Sequence, residues 1–204
     1  MKHLLTLVLA LTVPQFAFGE FQAPVIRTKL GMFSTTVSAG ELVNNEALGA
    51  MMTLQPSVLW DFPSMNSRMG VHYIVDVGSS FGVTPISGIG VSGYYYLRGL
   101  SAAYENSPDD TLIQKSKPGF YTFASFTPVN FNLNKTDETN SNNNFAFSAL
   151  VYEVMLGMGY EYPLKPNALL SVELASREGS ASQGDHGLRY SGVGLFLSFT
   201  TSYY

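Results

Sequence analysis

The chain has no cysteine among its 204 residues. Disulfide frameworks, zinc–thiolate sites, iron–sulfur clusters and thiol nucleophiles are therefore excluded. Charge is scarce as well, since only 13% of residues are Asp, Glu, Lys or Arg, about half of ordinary globular usage. Eleven Lys and Arg stand against 15 Asp and Glu with no basic cluster, so the electrostatic footprint of a nucleic-acid partner is missing. Long apolar runs are missing too. Beyond the first 19 residues nothing approaches the roughly 18 consecutive apolar residues of a membrane-crossing helix. What the chain does have is 46% apolar residues, 19 glycines, 14 Phe and 12 Tyr. That is too apolar for a disordered chain, and a low charge with so many aromatics points to a solvent other than water.

Residues 1–19 have the layout of a secretory signal peptide. Met1-Lys2-His3 is a short positive start, Leu4 to Val13 is an apolar run, and Ala17-Phe18-Gly19 is a small-x-small cleavage signal ahead of Glu20. The run is too short for a membrane anchor. Residues 20–204 then suit a single domain.

Along the rest of the chain the apolar residues recur with a period of two. Leu150, Tyr152, Val154, Leu156, Met158, Tyr160 and Tyr162 alternate with a mixed set that includes Glu153, Gly157, Gly159 and Glu161. Leu170, Val172 and Leu174 alternate with Ser171, Glu173, Ala175 and Arg177, and Val193, Leu195, Leu197 and Phe199 alternate with Gly192, Gly194, Phe196 and Ser198. Val71, Tyr73, Val75 and Val77 alternate with His72, Ile74 and Asp76. These are β-strands with one apolar face. The pattern predicts eight of them, over 28–38, 49–61, 69–78, 87–99, 119–131, 145–162, 168–178 and 188–203, with the phase of the first and fifth left open. Pro56 and Pro128 fall inside two of these strands, which suggests bulges or strand ends there.

An even number of antiparallel strands of about ten residues is what a closed barrel needs to cross about 25 Å of lipid. The expected fold is an all-β, closed, antiparallel up-and-down transmembrane barrel. Connections support it, because tight turns at 62–68 and 163–167 alternate with longer polar stretches at 39–48, 132–144 and 179–187. One connection, 100–118, is long on the short-turn side. With both ends of the chain on that side, Trp60, Tyr95, Tyr121, Tyr160, Tyr162 and Tyr203 fall at one level and are expected to form an interfacial aromatic girdle.

In these features the sequence resembles the small eight-stranded outer-membrane barrels of Gram-negative bacteria, of the OmpA, OmpX and OmpW type. The resemblance is carried by Gly157-Met158-Gly159-Tyr160-Glu161-Tyr162-Pro163-Leu164 running into Leu169 to Leu174, and by the closing segment Gly192 to Tyr204. It implies localisation in the outer membrane after secretion, with membrane lipid as the surrounding medium. It also implies that Leu195, Leu197, Phe199, Tyr203 and Tyr204 form the final-strand signal read by the barrel-assembly machinery. Here the alternating register ends on Tyr203, one residue short of the family pattern.

The face opposite the apolar one carries His72, Asp76, Arg98, Glu153, Glu161, Glu173 and Arg177. Charges enclosed by a barrel wall must be paired or hydrated, so a polar network is expected in the lumen. A turn centred on Lys165 would set Glu153 opposite Arg177 as a buried ion pair, with Glu173 close by. An eight-stranded lumen is only wide enough for side chains, which favours a plug over a path. The Gly-x-Gly pairs at 88/90, 157/159 and 192/194 precede no helix pattern and are read as packing space inside the barrel.

Enzymatic and metal signals are weak. His186 lies near Ser191, yet Leu188 occupies the position where the lipid A deacylase pattern has Ser. Two histidines remain after residue 20, and loop carboxylates such as Asp137 and Glu138 show no ligand spacing. No cofactor, metal or catalytic residue is expected. The reading is a structural or surface-interaction barrel whose loops, including the Asn-rich stretch 140–144, could meet an external ligand or partner. A narrow passage for small or hydrophobic solutes is the alternative. A soluble ligand-binding barrel is disfavoured, because it would turn its apolar face inward.

Overall fold

The computed structural model describes residues 24–39, 43–78, 86–106, 112–135, 145–165, 167–183 and 186–202. Residues 1–19, with the signal-peptide expectation, and Tyr203 and Tyr204 lie outside these. The chain forms β1 (Val25–Ala39), β2 (Val43–Phe62), β3 (Ser67–Val77), β4 (Ile86–Tyr96), β5 (Ala102–Asn106), β6 (Leu112–Ser116), β7 (Gly119–Lys135), β8 (Phe145–Lys165), β9 (Ala168–Gln183) and β10 (His186–Ser202). Eight of them close an antiparallel barrel in the order β1-β10-β9-β8-β7-β4-β3-β2, and β5 and β6 make a separate two-stranded sheet. The long connection at 100–118 is thus a hairpin inserted between neighbouring barrel strands, and the predicted eight-strand barrel stands.

Strand parity decides which side chains meet which medium. On β9, Ser171, Glu173, Ala175 and Arg177 are buried while Leu170, Val172 and Leu174 are exposed, and on β10 Phe196 and Ser198 are buried while Val193, Leu195, Leu197 and Phe199 are exposed. The first strand follows with Arg27, Lys29, Phe33 and Thr35 inside and Leu30 and Met32 outside. A water-soluble protein inverts this arrangement. Outward apolar positions run from Met69 to Val77 on β3 and from Leu150 to Tyr162 on β8. At about 3.3 Å per residue and a tilt of about 40°, these spans are roughly 20 and 30 Å tall, bracketing the hydrocarbon thickness.

The barrel has a turn end and a loop end. At the turn end, Pro63–Met65 form a single 3₁₀ turn that Asn66 closes in the left-handed region at φ 50°, and β8 and β9 run to Lys165 and from Ala168. At the loop end the ladders continue past the apolar band, with β7 paired to β8 as far as Lys135 and Phe145, and β9 paired to β10 as far as Gln183 and His186. Stretches expected to be polar loops are therefore partly strand. Hydrogen bonding does not require an apolar face once the ladder stands in water.

Pro56 and Pro128 are neither bulges nor strand ends. Both keep register with one neighbour, Thr28 and Tyr152 respectively. On the other side the pairing is skipped, between Leu54↔Val75 and Ser57↔His72, and between Gly88↔Val129 and Val91↔Phe126. Proline has no N–H to give to a ladder. The β3–β4 hairpin is consequently bounded on both sides by an interrupted seam. Amide exchange in lipid bilayers should be fastest, among the membrane-embedded strands, for whichever amide of Tyr73 and Ile74 and whichever of Ile89 and Gly90 points to the interrupted seam rather than across the continuous β3–β4 ladder. Equal protection there and on β8 and β9 would contradict this.

Candidate functional site

The barrel interior is the chemically distinctive region. Among the described residues it buries four cations, Arg27, Lys29, Arg68 and Arg177, and five carboxylates, Asp61, Asp76, Glu153, Glu161 and Glu173. They fall into two networks at different heights.

The network near the turn end is centred on Arg27, which β1 points inward two residues after the strand begins. Its guanidinium donates to Glu161 Oε1 at 3.0 Å and to Glu173 Oε1 at 2.5 Å, and it also reaches Ser171, Ser198 and the Tyr121 hydroxyl. Lys29, two positions along the same face, donates to Glu173 Oε2 at 2.6 Å and sits 3.7 Å from the centre of the Phe123 ring. Glu173 further accepts from Tyr121 and Ser198, both at 2.8 Å. Arg68 faces Asp61 across the β2–β3 turn, donates to the Tyr96 hydroxyl at 3.0 Å, and Tyr96 in turn donates to Glu161 Oε2 at 3.1 Å. Each buried charge here has an oppositely charged partner, and Arg27, Arg68, Glu161 and Glu173 have neutral ones as well, the condition under which ions survive away from water.

The network nearer the loop end joins Asp76 to Arg177 and to the Thr53 hydroxyl. Arg177 also donates to Thr35 Oγ1 at 2.9 Å and lies over the Phe33 ring. Glu153 Oε2 accepts from the Tyr190 hydroxyl at 2.6 Å and stands 3.7 Å from Arg177 Nη1. Between the networks, His72 Nε2 meets Thr127 Oγ1 at 2.8 Å, and Gln55, Ser57 and Ser92 hold buried polar atoms with no protein partner among the described residues.

Glycines make room for the rings that complete this interior. A Cβ on Gly159 would come within 2.5 Å of the Tyr121 ring, and one on Gly179 within 2.4 Å of the Tyr190 ring. Tyr121 and Tyr190 are the two phenols that reach Glu173 and Glu153. Glycine opposite each is what lets the ring lie against the wall.

Several expected positions need correction. Arg98 is not in the lumen: β4 ends at Tyr96, the backbone turns through Gly99 at φ 82°, and Arg98 is exposed. Glu153 is not opposite Arg177. The observed register is offset by two residues from the one a turn centred on Lys165 would give, so Glu153 faces Gly179 and Arg177 faces Met155. The shift of two in the pairing sum preserves parity, so both still point inward, but Arg177 makes its closer ion pair with Asp76. Glu173 belongs to the other network, with Arg27 and Lys29.

Tyr121 is not a girdle residue, because the outward set on β7 is even-numbered and its ring is buried. Phe120 is the outward neighbour, its ring 4.6 Å from that of Tyr160. Trp60 is half-buried on the outer face, and Tyr95, Tyr160 and Tyr162 are exposed there. Leu195, Leu197 and Phe199 also point outward. Arg27, Lys29, Asp61 and Arg68 were missed as lumen residues. Arg27 precedes the expected start of the first strand at 28 and Lys29 lies at its beginning, where the phase was open, and opposite charges at 61 and 68 flanking Pro63-Ser64-Met65-Asn66 were the available signal for the second pair.

Charges inside, aliphatic side chains outside and a closed eight-strand ladder define the class: this is a transmembrane β-barrel. No protein-family model matches the sequence, and no curated protein matches it. Solved structures similar to it include Neisserial surface protein A, at 13% identity and a TM-score of 0.48, with 87% of this chain and 97% of that one covered. The N-terminal β-barrel domain of Pseudomonas aeruginosa OprF follows at 11% identity and a TM-score of 0.46, covering 88% and 98%. The outer membrane protease OmpT of Escherichia coli aligns at 10% identity and a TM-score of 0.41, covering 90% and 98%.

Proposed function

We propose that this is an integral outer-membrane barrel with a structural or surface-interaction role and no catalysis, its lumen closed by a charged plug. The carrying observation is the inward set itself. Arg27, Arg68, Arg177, Tyr94, Tyr96 and Tyr121 are large, fully buried and point into a barrel whose bore holds little more than side chains. The three guanidiniums are paired with buried carboxylates, and the His72 ring is engaged with Thr127, which supports a packing role over a reactive one. In this reading residues 1–19 direct export, the turn end faces the periplasm, Trp60, Tyr95, Tyr160 and Tyr162 sit at the headgroup level, and the outward Leu195, Leu197 and Phe199 belong to the signal for the assembly machinery. The loop-end hairpins would meet any external partner.

Purified protein reconstituted in planar bilayers should show no steady conductance. A stable open channel would overturn the plug and establish the alternative, a narrow solute passage, for which the unpartnered polar atoms of Gln55, Ser57 and Ser92 would be the lining.

A further inference from the structure

We infer that the outer wall over β4 and β7 holds one anionic glycerophospholipid of the leaflet at the turn end, an inference that rests on the membrane-barrel reading above. A groove of about 620 Å³ runs along the outward face, bordered by Trp60, Met69, Val91 and Phe126 and floored by Gly93 and Ala124. That volume is within the range of about 300–1,000 Å³ typical of ligand sites. The floor exists because Gly93 and Ala124 are register partners, so two small outward positions lie side by side among large ones. A Cβ on Gly93 would meet only Met69, at 3.9 Å.

The groove continues toward the turn end past Met65, Tyr95 and Thr122. Two exposed cations stand there: Arg98 just after β4 ends and Lys117 just before β7 begins. Lys117 Nζ donates to the Arg98 carbonyl at 2.9 Å, which fixes the ammonium beside the start of that turn. Neither side chain forms an ion pair with a described residue. An apolar trough ending at two cations at the level of the headgroups matches a lipid with an acyl chain and a phosphodiester carrying net negative charge. A zwitterionic lipid fills the trough equally well but brings its own ammonium to the cations, and so gains less from them.

Trp60 is the only tryptophan and borders the groove, so its fluorescence reads the site directly. The protein is reconstituted in phosphatidylcholine vesicles containing, in parallel, phosphatidylglycerol or phosphatidylcholine brominated on the acyl chains. Brominated phosphatidylglycerol should quench Trp60 at about a fivefold lower mole fraction. Arg98→Gln with Lys117→Gln should remove that preference and leave quenching by the brominated phosphatidylcholine unchanged, and Gly93→Phe, which fills the floor, should remove it as well. Equal quenching by the two lipids, or a preference that survives either variant, overturns the lipid site alone. Quenching by neither would overturn the membrane reading with it.

Discussion

Arg27→Ala is expected to destabilise the folded barrel by about 3–5 kcal/mol, because it leaves two buried carboxylates without their shared cation. Glu161 and Glu173 are both fully buried and both bonded to this one guanidinium. Lys29 still reaches Glu173, and Arg68 stands 3.8 Å from Glu161, so part of the loss is cushioned. Arg189→Ala is the matched control. Arg189 pairs with Glu178 at 2.5 Å, as short as the Arg27 contact to Glu173, but both side chains are more than half exposed, and its removal should cost under about 1 kcal/mol. Denaturant midpoints of both variants in lipid vesicles, followed by the mobility difference between boiled and unboiled samples in SDS gels, give the comparison. Equal costs would mean that burial does not set the strength of the inner network.

Leu156→Arg is the second large effect, and it separates the lipid-facing wall from a water-facing one. Leu156 is 57% exposed in the middle of the outward apolar run of β8, which extends from Leu150 to Tyr162. In water a surface change of this kind stays within about 0.5 kcal/mol. In hydrocarbon, an arginine on the outer face of a barrel near the midplane costs about 2–4 kcal/mol. Refolding yield and denaturant midpoint in vesicles should therefore fall sharply for Leu156→Arg, and much less for Ser148→Arg, an exposed position on the same outward face toward the loop end. A midpoint unchanged by Leu156→Arg would place that face in water.

Period-two alternation was enough to read the barrel, because a wall between lipid and a packed lumen sorts every residue by parity. Glu153, Glu173 and Arg177 could be sent inward without knowing a single contact. Contacts themselves depend on register, and register depends on where a turn is centred. Misplacing the β8–β9 turn left the faces correct and the pairing wrong, so Arg177 was assigned Glu153 when its nearer partner is Asp76, from a strand distant in sequence.

Strand ends were harder to read for a related reason. Arg27 and Lys29 lie where β1 begins, Asp61 and Arg68 where β2 and β3 meet, and charged residues at such places resemble ordinary turn chemistry until the barrel closes over them. Arg98 is the converse, with inward parity but beyond the last paired residue of its strand. The loop-end extension of β9 to Gln183, beyond the expected end at 178, carried no apolar alternation to reveal it, since outside lipid neither face of a ladder needs to be greasy. Tyr121 was misassigned because an aromatic near an interface and an aromatic one residue away inside the lumen have the same composition signal. Its hydroxyl bond to Glu173 distinguishes them.

The central claim is that the apolar face of this barrel lies against lipid. Membranes from cells expressing the full chain can be washed first with high salt and then with alkaline carbonate, and the pellet compared with and without boiling in SDS. The protein should stay in the pellet through both washes and migrate differently when unboiled. Release into the supernatant by salt would contradict the membrane barrel.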